Sequence, residues 1–228
     1  MEAFSQWFSQ LQWGKLVEMA LSAAACLTCI VLHELCHGLA ALWMGDDTAR
    51  RSGRLTLNPF KHIDLVGLVL LFTVHFGWAK PVPVNMRKFR RPKLGMALTA
   101  LAGPAGNFLI ALLLTPGYAA SLVWYQNSGS LAVYYLAVFL LMTVTVSIGL
   151  MVFNLIPIPP LDGSKVLFSL LPPQWYAKLM RYERYGMIVL VALLYLGVLD
   201  VPLSFLRNGI QQLIFTLAGD PIVRLLIR

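Results

Sequence analysis

Four long runs of apolar residues, at about Leu16–Met44, Met96–Tyr125, Leu131–Phe153 and Tyr185–Leu199, set the terms on which this chain can fold. An α-helix rises 1.5 Å per residue and a bilayer's hydrocarbon core is about 30 Å thick, so about 20 apolar residues cross it. The first three runs reach that length and the fourth nearly does. In lipid, backbone hydrogen bonds must be satisfied internally, which makes helices the only open-chain solution. Composition agrees: 58% of the 228 residues are hydrophobic and 12% are charged, against about 25% charged in an average soluble domain. The expectation is an all-α polytopic membrane protein of about four to five transmembrane helices, organised as a single membrane-embedded domain over residues 1–228.

The stretch between the first two spans has a different texture. Residues 50–93 hold ten Lys/Arg with several Pro and Gly, and an apolar run, Leu65–Trp78, too short for a straight crossing. Within it, Arg54–Asn58 and Lys80–Asn85 alternate with a period of two, as strands do, and prolines confine the second to a sheet edge. A small membrane-associated β or re-entrant region over residues 50–93 is therefore expected after the first span. At the other end, Pro202–Leu217 is apolar but interrupted by Arg207, Asn208 and Gly209, and its topology stays open between interfacial, re-entrant and crossing.

Lys/Arg-rich short loops stay on the cytoplasmic side. Residues 45–93 carry ten, residues 165–184 carry four, and the turn 126–130 carries none. This predicts an outside start, a first span that descends to the cytoplasm, and polar groups near its end in the cytoplasmic half of the bilayer. The net charge of +8 is explained by these flanking bases, with the Arg87, Lys88, Arg90, Arg91, Lys93 cluster anchored at lipid headgroups. It forms no continuous basic face for nucleic acid. The start, Met1-Glu2, lacks the basic region of a signal peptide, so the first segment is expected to be retained. Cys26, Cys29 and Cys36 share one apolar run and read as small buried hydrophobes.

Within the first span lies His33-Glu34-Leu35-Cys36-His37. Histidines at i and i+4 share one helix face, so both imidazoles reach one zinc ion, and the neighbouring glutamate can act on water there. The pattern arises by chance in about one chain of this composition in a thousand. Two satisfied helix histidines would be the plain alternative in a soluble protein. Ionisable groups inside a bilayer are costly unless paired, solvated or metal-bound, which favours a site. A catalytic zinc needs a third protein ligand. The candidate is Asp162, the only carboxylate between Asp64 and Glu183, in the proline-rich segment Asn154-Leu155-Ile156-Pro157-Ile158-Pro159-Pro160-Leu161-Asp162-Gly163. By itself Asp-Gly after Pro-Pro is also an ordinary turn.

These residues resemble the site-two protease family of intramembrane zinc metalloproteases: HELCH in a first span, a later GPxxN at Gly103–Asn107, and NxxPxPPLDG. The resemblance runs from about Ile30 to Gly163, and Gly53–Pro59 with Trp78–Asn85 looks like the compact branch. It implies a three-helix catalytic core with His33, His37 and Asp162 as ligands of one Zn2+ per chain and Glu34 as general base. It implies hydrolysis of peptide bonds within or next to transmembrane segments of substrate proteins. No room is seen for an inserted PDZ domain or a following soluble regulatory domain, so substrate selection by such domains is not expected.

Two further polar residues fall near this constellation. Asn107 in the second span reads either as a donor to a substrate carbonyl or loop backbone, or as interhelical glue beside a small-residue contact through Ala102 and Gly106. Asn154 has a similar dual reading, leaning to a substrate or oxyanion contact because it sits eight residues before Asp162. His62 and Asp64 are expected to brace the loop more readily than to bind a second metal; His75 is placed at the interface. The expected partners are the lipid bilayer and a transmembrane protein or peptide substrate, with a homo-oligomer compatible with the pattern. The competing readings are a divalent cation transporter, which would spread ligands over several helices and show repeats that are not visible here, and a catalytically inactive membrane-protein-binding homologue. Replacing Glu34 separates them, because a protease keeps its zinc and loses turnover.

Overall fold

The computed structural model describes residues 12–64, 67, 79–172, 174–175 and 183–227. Among the described residues, three helices are long and apolar enough to cross a membrane: α1 (Trp13–Trp43), α3 (Pro92–Ser128) and α4 (Leu131–Asn154). Between α1 and α3 lie a one-turn helix, α2 (Thr48–Arg51), and two 3-10 turns, Pro59–Lys61 and Met86–Lys88. After α4 come α5 (Asp162–Ser169), α6 (Glu183–Tyr195), α7 (Asp200–Ile214) and α8 (Asp220–Leu226).

Local chemistry sets the helix limits. Gly45 stops α1 in a left-handed conformation, φ 107°, that a residue with a Cβ adopts only under strain. Pro92 opens α3 at its first position, where a missing N–H costs nothing, and Gly129 at φ 61° closes it by donating to the Tyr125 carbonyl. Only Gly129 and Ser130 separate α3 from α4, so the two run antiparallel and pack along their length.

The packing turns the usual soluble pattern outward. Large apolar side chains such as Met19, Leu109, Leu113 and Leu136 are exposed, where lipid would cover them, while Thr115, Thr143 and Ser147 are fully buried. Ala111 of α3, Val144, Ile148, Met151 and Val152 of α4, and Ile214 of α7 form one apolar cluster. Buried Cys29 lies 3.2 Å from the Ser147 hydroxyl and donates to the Thr143 carbonyl, which ties α1 to α4. The chain is an integral membrane protein of the all-α class.

Elsewhere the structure departs from expectation. The fourth expected span, Tyr185–Leu199, is occupied by α6, which ends at Tyr195, before Gly197 at φ 69°. Its 13 residues reach only about 20 Å. Tyr185–Tyr195 and Asp200–Leu226 together are long and apolar enough for one span, but they are bent by 85°. Arg207, Asn208 and Gly209 do not break the last segment: α7 runs through them and passes by a π turn, Phe215–Gly219, into α8.

The expected β region is not seen among the described residues, which contain no strand and a single bridge, Ile63 to Ala79. Arg54–Asn58 and Lys80–Asn85 are irregular, because their backbone groups are satisfied by side chains instead of a ladder. The Arg54 guanidinium donates to the carbonyls of Lys61, Lys80 (2.5 Å) and Pro81 (3.1 Å). The Val82 N–H donates to Glu34 Oε2 at 2.8 Å and the Asn85 N–H to Asp46 Oδ2 at 2.5 Å. Pro81 and Pro83 have no N–H to offer. Residues 80–85 thus form a strap tied down at three points. The apolar run expected to re-enter the membrane, Leu65–Trp78 with His75, lies outside the described residues except for Gly67.

Candidate metal centre

His33 and His37 occupy adjacent turns of the buried face of α1. Asp162 opens α5 directly after the proline-rich turn that follows α4, with Gly163 behind it. That turn comes very close to the end of α4: a Cβ at position 163 would stand 2.2 Å from the Leu155 carbonyl oxygen, so only glycine permits the approach. The consequence is a triangle of donor atoms contributed from sequence positions more than a hundred residues apart. His33 Nε2 lies 3.0 Å from His37 Nε2, and Asp162 Oδ2 lies 3.2 Å from the first and 3.0 Å from the second. Ligands held about 2.0 Å from a tetrahedral ion stand about 3.3 Å apart. Two imidazole nitrogens and one carboxylate oxygen at this spacing fit a first-row divalent cation such as zinc, with a fourth position left for water. Among the described residues this is the one group of three His, Cys, Asp or Glu side chains so placed.

The surroundings dispose each of these side chains toward a metal. His37 Nδ1 lies 2.7 Å from the Thr99 carbonyl, which can only accept, so Nδ1 carries the hydrogen and Nε2 keeps its lone pair for a metal. Burial works against the charged form of Asp162, but the Lys165 ammonium beside it favours the carboxylate that a metal needs. Lys165 Nζ is 3.7 Å from the second oxygen, Oδ1. Gly103 of α3 supplies the space: a Cβ there would stand 2.4 Å from His37 Nε2 and 2.7 Å from His33 Cε1. Without side chain, that residue forms the wall against which both rings lie.

Glu34 is half-buried and its carboxylate is held by the strap through Val82. Asn107 is fully buried, with its amide nitrogen 3.1 Å from His33 Nδ1. Asn154 points elsewhere: its amide donates to the Leu150 carbonyl of its own helix at 3.0 Å. His62 is 2.9 Å from the Thr56 carbonyl, and Asp64 accepts from the Gly67 N–H, so both brace their loop. Sequence reasoning overlooked Gly103, Arg54, Val82 and Asp46. Gly103 lay within the GPxxN motif, and its four-residue spacing to Asn107 was the available signal.

Residues 119–197 match the profile of Peptidase family M50. The chain is 40% identical over 168 residues to "Putative zinc metalloprotease YwhC" of Bacillus subtilis (strain 168), covering 71% of this chain and 74% of that protein. It is 31% identical over 178 residues to "Putative zinc metalloprotease Rip2" of Mycolicibacterium smegmatis, covering 76% and 66%. The Rip2 protein of Mycobacterium tuberculosis (strain H37Rv) is 31% identical over 177 residues, covering 75% and 64%. No solved structure matches the chain.

Proposed function

Because the chain belongs to peptidase family M50, the site-two protease family, we propose that it is a zinc-dependent endopeptidase that hydrolyses peptide bonds within or next to transmembrane segments of substrate proteins. The observation that supports this most is the triangle of His33, His37 and Asp162 donors beside Glu34, on helices of membrane-spanning length. In this reading those three residues hold one Zn2+ and Glu34 is the general base. Zinc, when bound, polarises the scissile carbonyl and lowers the pKa of a water to about 7.

The chain's own groups do the rest. Glu34 takes the proton of the attacking water and returns it to the leaving nitrogen. The Val82 N–H fixes one carboxylate oxygen, so the base does not turn away between these two transfers. A helical substrate must first unwind, because its carbonyls are bonded to amides four residues on. The extended chain of residues 80–85 beside Glu34 is the surface proposed to receive it. The bias of basic residues supports a site toward the cytoplasmic face.

The test is cleavage of a peptide with one transmembrane segment by the purified protein in lipid vesicles. Glu34→Gln should keep zinc and lose at least about a hundredfold in turnover; residual activity within tenfold of the parent assigns the base to another group. Orientation is read by cysteine labelling in sealed vesicles or intact cells, where a probe at Asn127 should react only from outside and one at Lys88 only from the cytoplasm. The reverse result moves the site to the other leaflet.

A further inference from the structure

Thr99, Gly103 and Asn107 stand at i, i+4 and i+8 on α3 and therefore share one face. All three meet the histidine pair. Thr99 offers its carbonyl to His37 Nδ1 at 2.7 Å, Gly103 leaves the room both rings fill, and Asn107 reaches His33 Nδ1 at 3.1 Å. The two histidines are thus treated alike: each turns Nε2 toward Asp162 and Nδ1 toward α3.

An imidazole that gives its Nε2 lone pair to a metal carries its hydrogen on Nδ1. At His33 that N–H would face the amide nitrogen of Asn107, donor against donor, while Asn107 Oδ1 is buried with no partner among the described residues. Amide oxygen and nitrogen have nearly the same shape, and their assignment follows the hydrogen-bond network. A half-turn of the amide puts Oδ1 on the His33 N–H. The repulsion becomes a bond to an oxygen, the arrangement His37 already has with Thr99.

We propose that Asn107 is a positioning residue for the metal centre, accepting a hydrogen bond from His33 Nδ1–H through Oδ1 and so fixing the tautomer and orientation in which His33 binds the metal. This rests on the metal-site reading above.

The experiment measures zinc affinity by chelator competition for the parent protein, Asn107→Leu, Asn107→Ala and Asn107→Asp in detergent. Loss of a partner to a ligating histidine costs about 10- to 100-fold in metal affinity. Leu and Ala should both show that loss, the second covering the case that Leu does not fit. Asp keeps an acceptor of the same length and discards both amide donors, so it should stay within about threefold of the parent. Saturating zinc should return most of the turnover of the Ala variant with KM unchanged, which a general packing defect would not allow. Parent-like affinity in Leu and Ala overturns the proposal, and so does an Asp variant as weak as Ala, since that outcome makes the amide N–H the group that matters. A KM deficit that persists at saturating zinc with affinity intact assigns Asn107 to substrate. A parent protein that binds no zinc removes the metal-site reading itself, and this proposal with it.

Discussion

Two regions of the molecule meet at Glu34, and they are built on opposite plans. On one side the proposed metal ligands ride on helices: His33 and His37 on α1, their backing on α3, and Asp162 at the first turn of α5. Their positions follow from the 3.6-residue period and from helix packing, with backbone hydrogen bonds already spent within the helices. On the other side the strap of residues 80–85 has no repeating structure. Its backbone is held by Arg54, Glu34 and Asp46, three side chains from three places in the chain. A helix face places a ligand by geometry that survives most substitutions nearby. The strap depends on a few individual bonds, each of which one substitution can remove.

That contrast orders the expected effects. The largest belong to the helical side: His33→Ala, His37→Ala or Asp162→Ala should weaken zinc binding by more than about a hundredfold and abolish turnover, and full occupancy in all three by metal analysis would end the assignment. Next comes Gly103→Ala, which places a methyl group 2.4 Å from His37 Nε2 and should lower zinc affinity by about tenfold or more through displaced rings. Parent-like affinity there would mean that α3 yields easily and that the helical side is less rigid than it looks.

On the strap the readout changes from metal to turnover. Val82→Pro removes the N–H that holds Glu34 and, following Pro81, keeps an extended backbone. A hydrogen bond to a charged group contributes about 1.5–3 kcal/mol, so turnover should fall about tenfold or more with zinc retained, while Val82→Ala stays near the parent. Equal activity of the two would show that the strap does not orient the base. The smallest effect is expected from Arg54→Lys. An ammonium carries its three donors on one nitrogen and does not span the carbonyls that the two terminal guanidinium nitrogens reach separately, so turnover should drop about threefold. A loss greater than that of Val82→Pro would move control of the base from the Val82 contact to Arg54.

The same contrast explains what could be read from residue order. Spans showed because lipid imposes one long apolar signal per crossing, and the observed helices begin and end within a few residues of the runs. His33 and His37 showed because i and i+4 is a local spacing, and Asp162 because carboxylates are scarce in the second half of the chain. Alternation in Lys80–Asn85 misled, because the prolines that create it also remove the donors a ladder needs. Arg54, Val82 and Asp46 act across gaps of 26 to 48 residues that carry no periodic mark. Gly103 is an empty space, and a space has meaning only once its neighbours are in place.

The two-residue connection between α3 and α4 has a mechanical consequence. With only Gly129 and Ser130 between them, the helices have no slack to move apart at that end and tilt together as a lever. From Gly129 to Gly103 the arm is about 39 Å long, so a tilt of about 5° carries its far end about 3 Å. That is as large as the 3.0–3.2 Å spacing of the His33, His37 and Asp162 donor atoms. Thr99 and Asn107 lie toward the far end of one arm, and Asp162 hangs beyond the end of the other, so a rocking hairpin shifts them as a group relative to His33 and His37. Cys29, bonded to Thr143 and Ser147 of α4, and His37, bonded to Thr99 of α3, tie α1 to both arms and oppose that movement.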